Sequence, residues 1–151
     1  MTLESAQAVE ARVIVFQCPA SFSPTQVHIE NLRRFFRAIE NDARDFLLGW
    51  EPRGEWPEET VRELCSELSL LHVVDPFKAK PVTAKINYYR LHGIGGYRYR
   101  YTDSDLSTLL STCYGTTYCL FNNVSMIEDA RRFLALIRSA RGVAENHCLS
   151  P

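Results

Sequence analysis

The chain has 151 residues, of which 46% are hydrophobic and 23% are charged, so its composition predicts one folded domain spanning residues 1–151. The 17 basic and 18 acidic residues leave a net charge of -1, which argues against broad electrostatic attraction to nucleic acid or to a membrane surface. No apolar stretch approaches the roughly 20 residues that span a bilayer, and the first residues do not resemble a secretory signal.

Short apolar runs predict five strands. Each run is almost continuously hydrophobic and ends at a polar, glycine or proline residue, a pattern typical of parallel strands covered on both faces. The predicted strands are, in chain order, Val13–Phe16, Phe46–Trp50, Leu71–Val74, Ile86–Leu91 and Tyr118–Phe121.

Helical patterns lie between the predicted strands. Ser23 is predicted to cap the first long helix, with a proline at the first helical position and a glutamine three residues after the cap. Asp103 or Ser104 is predicted to cap a shorter helix. Ser125 begins a second capping box, which is predicted to start the last helix of the chain. Apolar residues at helical spacing also follow Pro57 and occur in the first dozen residues, and both segments are predicted to be helices.

This alternation predicts an α/β fold with a parallel five-stranded sheet and right-handed crossovers. Five strands do not close the usual eight-stranded barrel. The sheet is therefore either an open doubly wound sheet with covered edges or part of a barrel that is completed elsewhere. The first and last strands are both strongly apolar, and exposed edges of this kind pair readily with another chain.

The five cysteines are odd in number, and no pair has the C-x-x-C spacing. This usage fits a reducing cytoplasm better than a disulfide framework or a zinc ribbon, so we predict a cytoplasmic location. We expect no metal site, because no spacing of His, Cys and Asp resembles a ligand set. The sequence indicates no particular cofactor, and we assign the cysteines no catalytic role.

Several short motifs occur in an order and spacing that cover nearly the whole chain. They are Phe16–Phe22, Trp50–Trp56, Val74–Phe77, Tyr89–Gly93, the spaced tyrosines Tyr97, Tyr99 and Tyr101, and Phe121–Asn123. Together they resemble the YecE-like family, a TIM-barrel family of uncharacterised function. The resemblance implies a partial TIM barrel, because the motifs correspond to strands four to eight. We therefore expect a homo-oligomer or a complementing N-terminal half as partner.

Arg90 and His92 are the first candidates for chemistry. They share one face of the fourth strand and lie at its end, where parallel α/β proteins build their ligand sites. Histidine suits proton transfer near neutral pH, although a histidine here can also be purely structural. Arginine suits an anionic group, and the alternative is a buried ion pair of Arg90 with Glu51 or Asp75.

Carboxylates follow two neighbouring strands. Glu51 and Arg53 come at the end of the second strand and share one face, where they line a binding site or simply neutralise each other. Asp75 ends the third strand, where it can orient His92, although Asp-Pro is also an ordinary turn signal. We expect Glu51 or Asp75 to act with His92 as a catalytic acid–base pair.

Further ligand-binding candidates follow the fourth and fifth strands. Asn122 and Asn123 precede a helix N-terminus, where amides suit an oxygen-rich or anionic ligand, although asparagine also favours tight turns. Gly93 opens a glycine-rich loop that either offers N–H groups to a phosphate or is simply flexible. Tyr89 adjoins Arg90 and is included as a ligand contact.

The segment Tyr97–Tyr101 alternates tyrosine with arginine. In an extended chain this arm presents rings on one face and cations on the other, which suits nucleotide stacking, or it packs its rings and solvates its arginines. The sequence thus favours an enzyme-like site for a small polar or anionic ligand of phosphate type. The alternatives are a nucleic-acid-binding module that uses this arm and a non-catalytic fragment that needs a partner.

Overall fold

The computed structural model describes residues 2–83 and 85–147, which form alternating strands and helices. The strands are β1 (Val13–Gln17), β2 (Leu47–Glu51), β3 (Leu71–Val74), β4 (Ile86–Leu91) and β5 (Thr116–Phe121). The helices are α1 (Thr2–Ala8), α2 (Gln26–Ile39), α3 (Glu58–Glu67), α4 (Asp103–Thr112) and α5 (Met126–His147). Each predicted apolar run therefore contains a strand, and the strand limits differ from the predicted ones by two residues at most.

The five strands form one parallel sheet in the order β1-β2-β3-β4-β5. The register aligns Gln17 with Glu51, and it aligns Tyr88 with Val73 on one side and Tyr118 on the other. The sheet curls into half of a barrel. The predicted α/β fold and partial TIM barrel are confirmed.

Two predicted helix caps were wrong by one or two residues. Helix α2 is capped by Thr25 rather than Ser23, and the Thr25 hydroxyl accepts a hydrogen bond from the N–H of His28 at 3.2 Å. Helix α4 is capped by Thr102, which exchanges hydrogen bonds with Asp105 in a capping box. In both cases a threonine within two residues of the predicted cap has its hydroxyl three residues before a backbone N–H at the helix start, which is what a cap requires.

Two apolar clusters fill the space between the sheet and its helices. The first cluster comprises Leu32, Phe36, Trp50, Val61, Leu64, Cys65 and Leu70, and the second comprises Val74, Tyr89, Leu91, Tyr101, Leu106, Leu109 and Phe133. Side chains alternate along a strand, so Trp50 and Tyr89 enter the clusters while Glu51 and Arg90 occupy the opposite side of the sheet. We call that opposite side the inner face.

Strands β1 and β5 are the edges of the sheet, and no described residue pairs with their outer sides. Leu120 of β5 is 39% exposed, and Phe35 of α2, which packs against Phe16 of β1, is 45% exposed. Within residues 2–83 and 85–147, no helix is both long and apolar enough to cross a membrane.

Candidate functional site

The carboxyl ends of the strands gather polar side chains at one end of the inner face, which we call the rim. Glu51 is the last residue of β2, and Arg90 lies one residue before the end of β4. His92 follows β4 directly, and Asn122 follows β5 directly. Parallel pairing brings these ends together although they are far apart in the chain.

Glu51 lies at the centre of the rim and is only 4% exposed. One of its carboxylate oxygens accepts a hydrogen bond from Nη1 of Arg90. The other lies 3.1 Å from Nε2 of His92 and 3.4 Å from Nη1 of Arg53. A buried carboxylate needs such partners to offset the cost of its desolvation. The alternative ion pair of Arg90 with Glu51 is therefore present, and it is part of a larger network.

The second ring nitrogen of His92, Nδ1, lies 3.1 Å from the amide nitrogen of Asn122. When that amide donates a hydrogen bond to Nδ1, the neutral imidazole carries its proton on Nε2. The Nε2–H group then donates a hydrogen bond to Glu51. Asn122 and Glu51 thus fix both the orientation and the tautomer of the ring.

Asp75 supports His92 through the backbone. Its carboxylate accepts hydrogen bonds from the N–H of His92 at 3.2 Å and from the N–H of Phe77 at 3.1 Å. Of the two predicted orienting carboxylates, Glu51 contacts the imidazole, and Asp75 holds the peptide that carries it.

Arg90 connects β4 to β1 across the inner face. In addition to Glu51, its Nη1 donates to Oε1 of Gln17 at 2.7 Å. The sequence interpretation missed Gln17, because the predicted first strand stopped one residue before it. Its position at the end of a strand, in register with Glu51, was the available signal.

A cavity of about 350 Å³ lies beside the rim. Glu51, Arg53, Asp75 and His92 line it, together with Trp56, His72 and Lys78, which the sequence interpretation did not select. Its volume falls at the lower end of the range for small-molecule sites. Its lining carries both charges, so it suits a small polar molecule with an anionic group facing Arg53 or Lys78.

His72 is a buried histidine among the residues that line this cavity. Its Nδ1 accepts a hydrogen bond from the N–H of Val82 at 3.2 Å. Burial lowers the pKa of His72 to about 4, and the nearby carboxylate of Glu58 opposes this shift only in part. His72 is therefore neutral at physiological pH, with a proton on Nε2.

Gly93 has a structural use for its backbone N–H, which donates to the hydroxyl of Tyr101 at 2.8 Å. Its φ of 86° lies in the region that favours glycine, and a Cβ would lie 2.2 Å from the carbonyl oxygen of Gly96. Burial raises the pKa of the Tyr101 phenol, so the hydroxyl stays protonated. Gly93 thus fixes the loop after His92, and its N–H is already occupied.

Two predicted ligand contacts lie away from the rim. The Tyr89 ring is buried in the second cluster, and its hydroxyl donates to the carbonyl oxygen of Thr112 at 3.1 Å. The amide of Asn123 is fully buried and donates to the carbonyl oxygen of Tyr99 and to Asp129, each at 2.7 Å. The structure does not bring these two side chains to the other candidates.

The arm Tyr97–Tyr101 is folded against the second cluster rather than extended from it. Tyr101 is 1% exposed, Tyr99 donates to Asp105 at 2.8 Å, and Arg100 pairs with Glu128. Tyr97 is 58% exposed. The packed rings of Tyr99 and Tyr101 and the exposed arginines correspond to the second of the two interpretations given for this arm, and the exposed ring of Tyr97 departs from it.

Among the described residues, no group of three or more His, Cys, Asp or Glu side chains is arranged to hold a metal ion. Comparison with curated proteins and with solved structures found no match. A family model described as "Protein of unknown function DUF72" matches residues 2–149. That match covers nearly the whole chain and agrees with the resemblance carried by the motifs. This chain therefore belongs to the DUF72 family, the YecE-like family.

Proposed function

We propose that the rim binds a small polar or anionic ligand and that His92 exchanges a proton with it. The observation that supports this proposal is the continuous hydrogen-bonded chain from Asn122 through His92 and Glu51 to Arg90, beside a cavity lined by Arg53. A histidine paired with a buried carboxylate can accept a proton, because the carboxylate stabilises the resulting imidazolium.

The two arginines have different roles in this proposal. The Arg53 side chain is 38% exposed and is the cation that meets an incoming anion. The Arg90 side chain is 21% exposed, and Glu51 and Gln17 hold it in place. It neutralises the carboxylate of Glu51 behind the ligand and occupies the Glu51 oxygen that His92 does not contact.

Proton exchange requires one of the imidazole nitrogens to be released. Asn122 is the partner that a ligand oxygen or nitrogen can replace. Its hydrogen bond to His92 comes from a neutral amide and is weaker than the hydrogen bond of His92 to the carboxylate of Glu51. In this arrangement Glu51 orients His92, Asp75 holds its backbone, and Asn122 gives way to the ligand. An enzyme built on this site would perform acid–base chemistry, of which hydrolysis of a phosphoester is one example.

The test is a binding titration by calorimetry with inorganic phosphate, followed by small phosphorylated and carboxylated compounds. We expect saturable binding that weakens by at least about tenfold in Arg53→Ala, because a charge-assisted hydrogen bond contributes roughly 1.5–3 kcal/mol and each 1.4 kcal/mol corresponds to about a factor of ten. His92→Ala should abolish any turnover of a compound that binds. Arg34→Ala, on the surface of α2, is the matched control and should change neither.

Arg90→Ala and Arg53→Ala both test whether the rim binds an anionic ligand. Arg90→Ala is the more destabilising of the two, because the Arg90 side chain is the more buried. If Arg90→Ala is too unstable to measure, Arg53→Ala still decides the outcome, since its side chain is partly exposed. Equal affinity of Arg53→Ala, His92→Ala and the unmodified chain for each compound would contradict the proposal.

We propose that the partner expected from the sequence, a second copy or a complementing N-terminal half, binds at the edges of the sheet. The outer sides of β1 and β5 are unpaired in the described chain, and apolar side chains such as Leu120 lie beside them. A second copy, or a complementing N-terminal half, would cover these edges and close the inner face. A cytoplasmic location and nucleic-acid binding by Tyr97–Tyr101 stay predictions.

A further inference from the structure

Two cysteine thiols lie together on the helix side of the sheet. Cys113 is the C-cap residue that follows α4, Cys119 lies in β5, and their sulfur atoms are 3.8 Å apart. The S–H of Cys113 can donate to the carbonyl oxygen of Leu109 at 3.3 Å. The sulfur of Cys113 is then left to accept the S–H of Cys119, so the two thiols form a directed chain.

This arrangement makes the two thiols chemically different. The hydrogen bond from Cys119 lowers the pKa of Cys113 against the opposing effect of burial. The same hydrogen bond, together with burial, raises the pKa of Cys119. Because the thiolate is the reactive form of cysteine, this difference favours Cys113 as the attacking thiol and Cys119 as the second thiol to react.

A small reagent can reach this pair. A cavity of about 760 Å³ runs between β5 and the helices α4 and α5, and both cysteines line it. Cys65, in contrast, is buried, and burial raises its pKa to about 12. Cys18 accepts a hydrogen bond from the indole of Trp50, and burial raises its pKa as well.

We propose that Cys113 and Cys119 form a thiol–disulfide exchange site whose substrate is a small-molecule disulfide. The Cys113 thiolate attacks one sulfur of that disulfide, forms a mixed disulfide and releases the first thiol. Cys119 then loses its proton, attacks the Cys113 sulfur and releases the second thiol. The protein loses two hydrogens and gains one S–S bond, while the small disulfide is reduced to two thiols.

The geometry favours closure of the bond. A disulfide is about 2 Å long, so the two sulfur atoms must approach by slightly less than 2 Å. The segment between the cysteines contains Gly115 at a φ of 58°, which forms the turn that brings β5 back beneath the end of α4. The site lies on the opposite face of the sheet from His92, and it is independent of the function proposed for the rim.

The experiment uses the full chain with Cys148→Ser. This substitution removes the one cysteine outside the described residues, so that it cannot react with the disulfide or pair with another thiol. The protein is incubated with oxidised glutathione, quenched with acid and analysed by intact mass and peptide mapping. We expect loss of two hydrogens and a peptide linked through Cys113 and Cys119. Cys119→Ser should stop at one glutathione adduct on Cys113, and Cys113→Ser should react at least about tenfold more slowly.

Cys65→Ser is the matched control and should react like the parent protein. Peptide mapping of the parent needs no substitution at either cysteine, so a poorly folded variant does not prevent a decision. The proposal is overturned if the parent accumulates a stable glutathione adduct without the internal bond. It is equally overturned if Cys113→Ser reacts as fast as the parent, or if the parent does not react at all.

Discussion

Nε2 of His92 lies 3.1 Å from Oε1 of Glu51, although the two residues are 41 positions apart in the chain. Glu51 also binds Arg90, 39 positions away, so one carboxylate of β2 joins two side chains delivered by β4. The three side chains form one network, and a change in any of them alters the charge balance of the rim.

Arg90→Ala should lower the free energy of unfolding by about 2–3 kcal/mol, because removing one partner leaves a buried carboxylate less well compensated. The expected loss lies below that of a fully buried pair, since the Arg90 side chain is 21% exposed. Urea unfolding at pH 7 measures it, with Arg34→Ala as the surface control. The double variant Arg90→Ala/Glu51→Gln should lose less than the sum of the single variants. Additive losses would show that the pair is not coupled.

Tyr101→Phe should destabilise the protein by about 1–3 kcal/mol, because it leaves the buried N–H of Gly93 without an acceptor. Tyr97→Phe is the matched control, since that ring is 58% exposed and its change should cost less than about 0.5 kcal/mol. Chemical denaturation of both variants provides the comparison. Equal stability of the two variants would mean that the Tyr101 hydroxyl does not support the loop after His92.

The stability of the protein should fall between pH 6.5 and pH 4 because of His72. The pKa of His72 is about 4 in the folded chain, against an ordinary value of 6.5, so the unfolded chain binds a proton that the folded chain does not. Stability therefore rises with pH across this window, by up to roughly 3 kcal/mol, and this contribution is constant above it.

His72→Asn tests this pH dependence, because an asparagine oxygen can still accept from the N–H of Val82. Unfolding free energies measured at several pH values should show a flatter profile for this variant between pH 4 and 6.5. Glu58→Gln should steepen the profile slightly, since its carboxylate opposes the shift. Superimposable profiles for His72→Asn and the unmodified chain would contradict the assignment.

Self-association through the sheet edges predicts a mass that increases with protein concentration in sedimentation equilibrium. Leu120→Lys should shift the equilibrium toward the monomer, because a lysine on an edge strand disfavours pairing. Val27→Lys is a control on the surface of α2, where Val27 is 63% exposed. A monomer at every concentration, for the unmodified chain, would leave a complementing half as the remaining partner.

The strands were predictable because buried parallel strands leave a local signal of continuous apolar residues. The helix caps were less predictable. The side-chain oxygens of Thr25 and Thr102 accept hydrogen bonds from backbone N–H groups, and a neighbouring serine or aspartate carries a side-chain oxygen that can do the same. Strand alternation alone predicts that Arg90 and His92 share one face. The same alternation directs Tyr89 to the other face, where its ring packs in the second cluster, so the period-2 rule that favours Arg90 argues against a ligand contact by Tyr89.

Contacts between distant elements were the part that the sequence could not give. Gln17 joins Arg90 only because the sheet curls, and Asn123 turns inward to Asp129 and Tyr99 rather than toward the rim. The Cys113 and Cys119 thiols meet through a helix end and a strand, without the spacing of a known motif.

The central claim is most directly tested by following the imidazole resonances of His92 by NMR during a titration with inorganic phosphate. We predict a saturable shift of the His92 signals that Arg53→Ala moves to about tenfold higher phosphate, while the signals of His28 on α2 stay in place. Assignment by His92→Ala identifies the signals. Resonances of His92 that do not move, or that drift in parallel with those of His28, would contradict a ligand site at the rim.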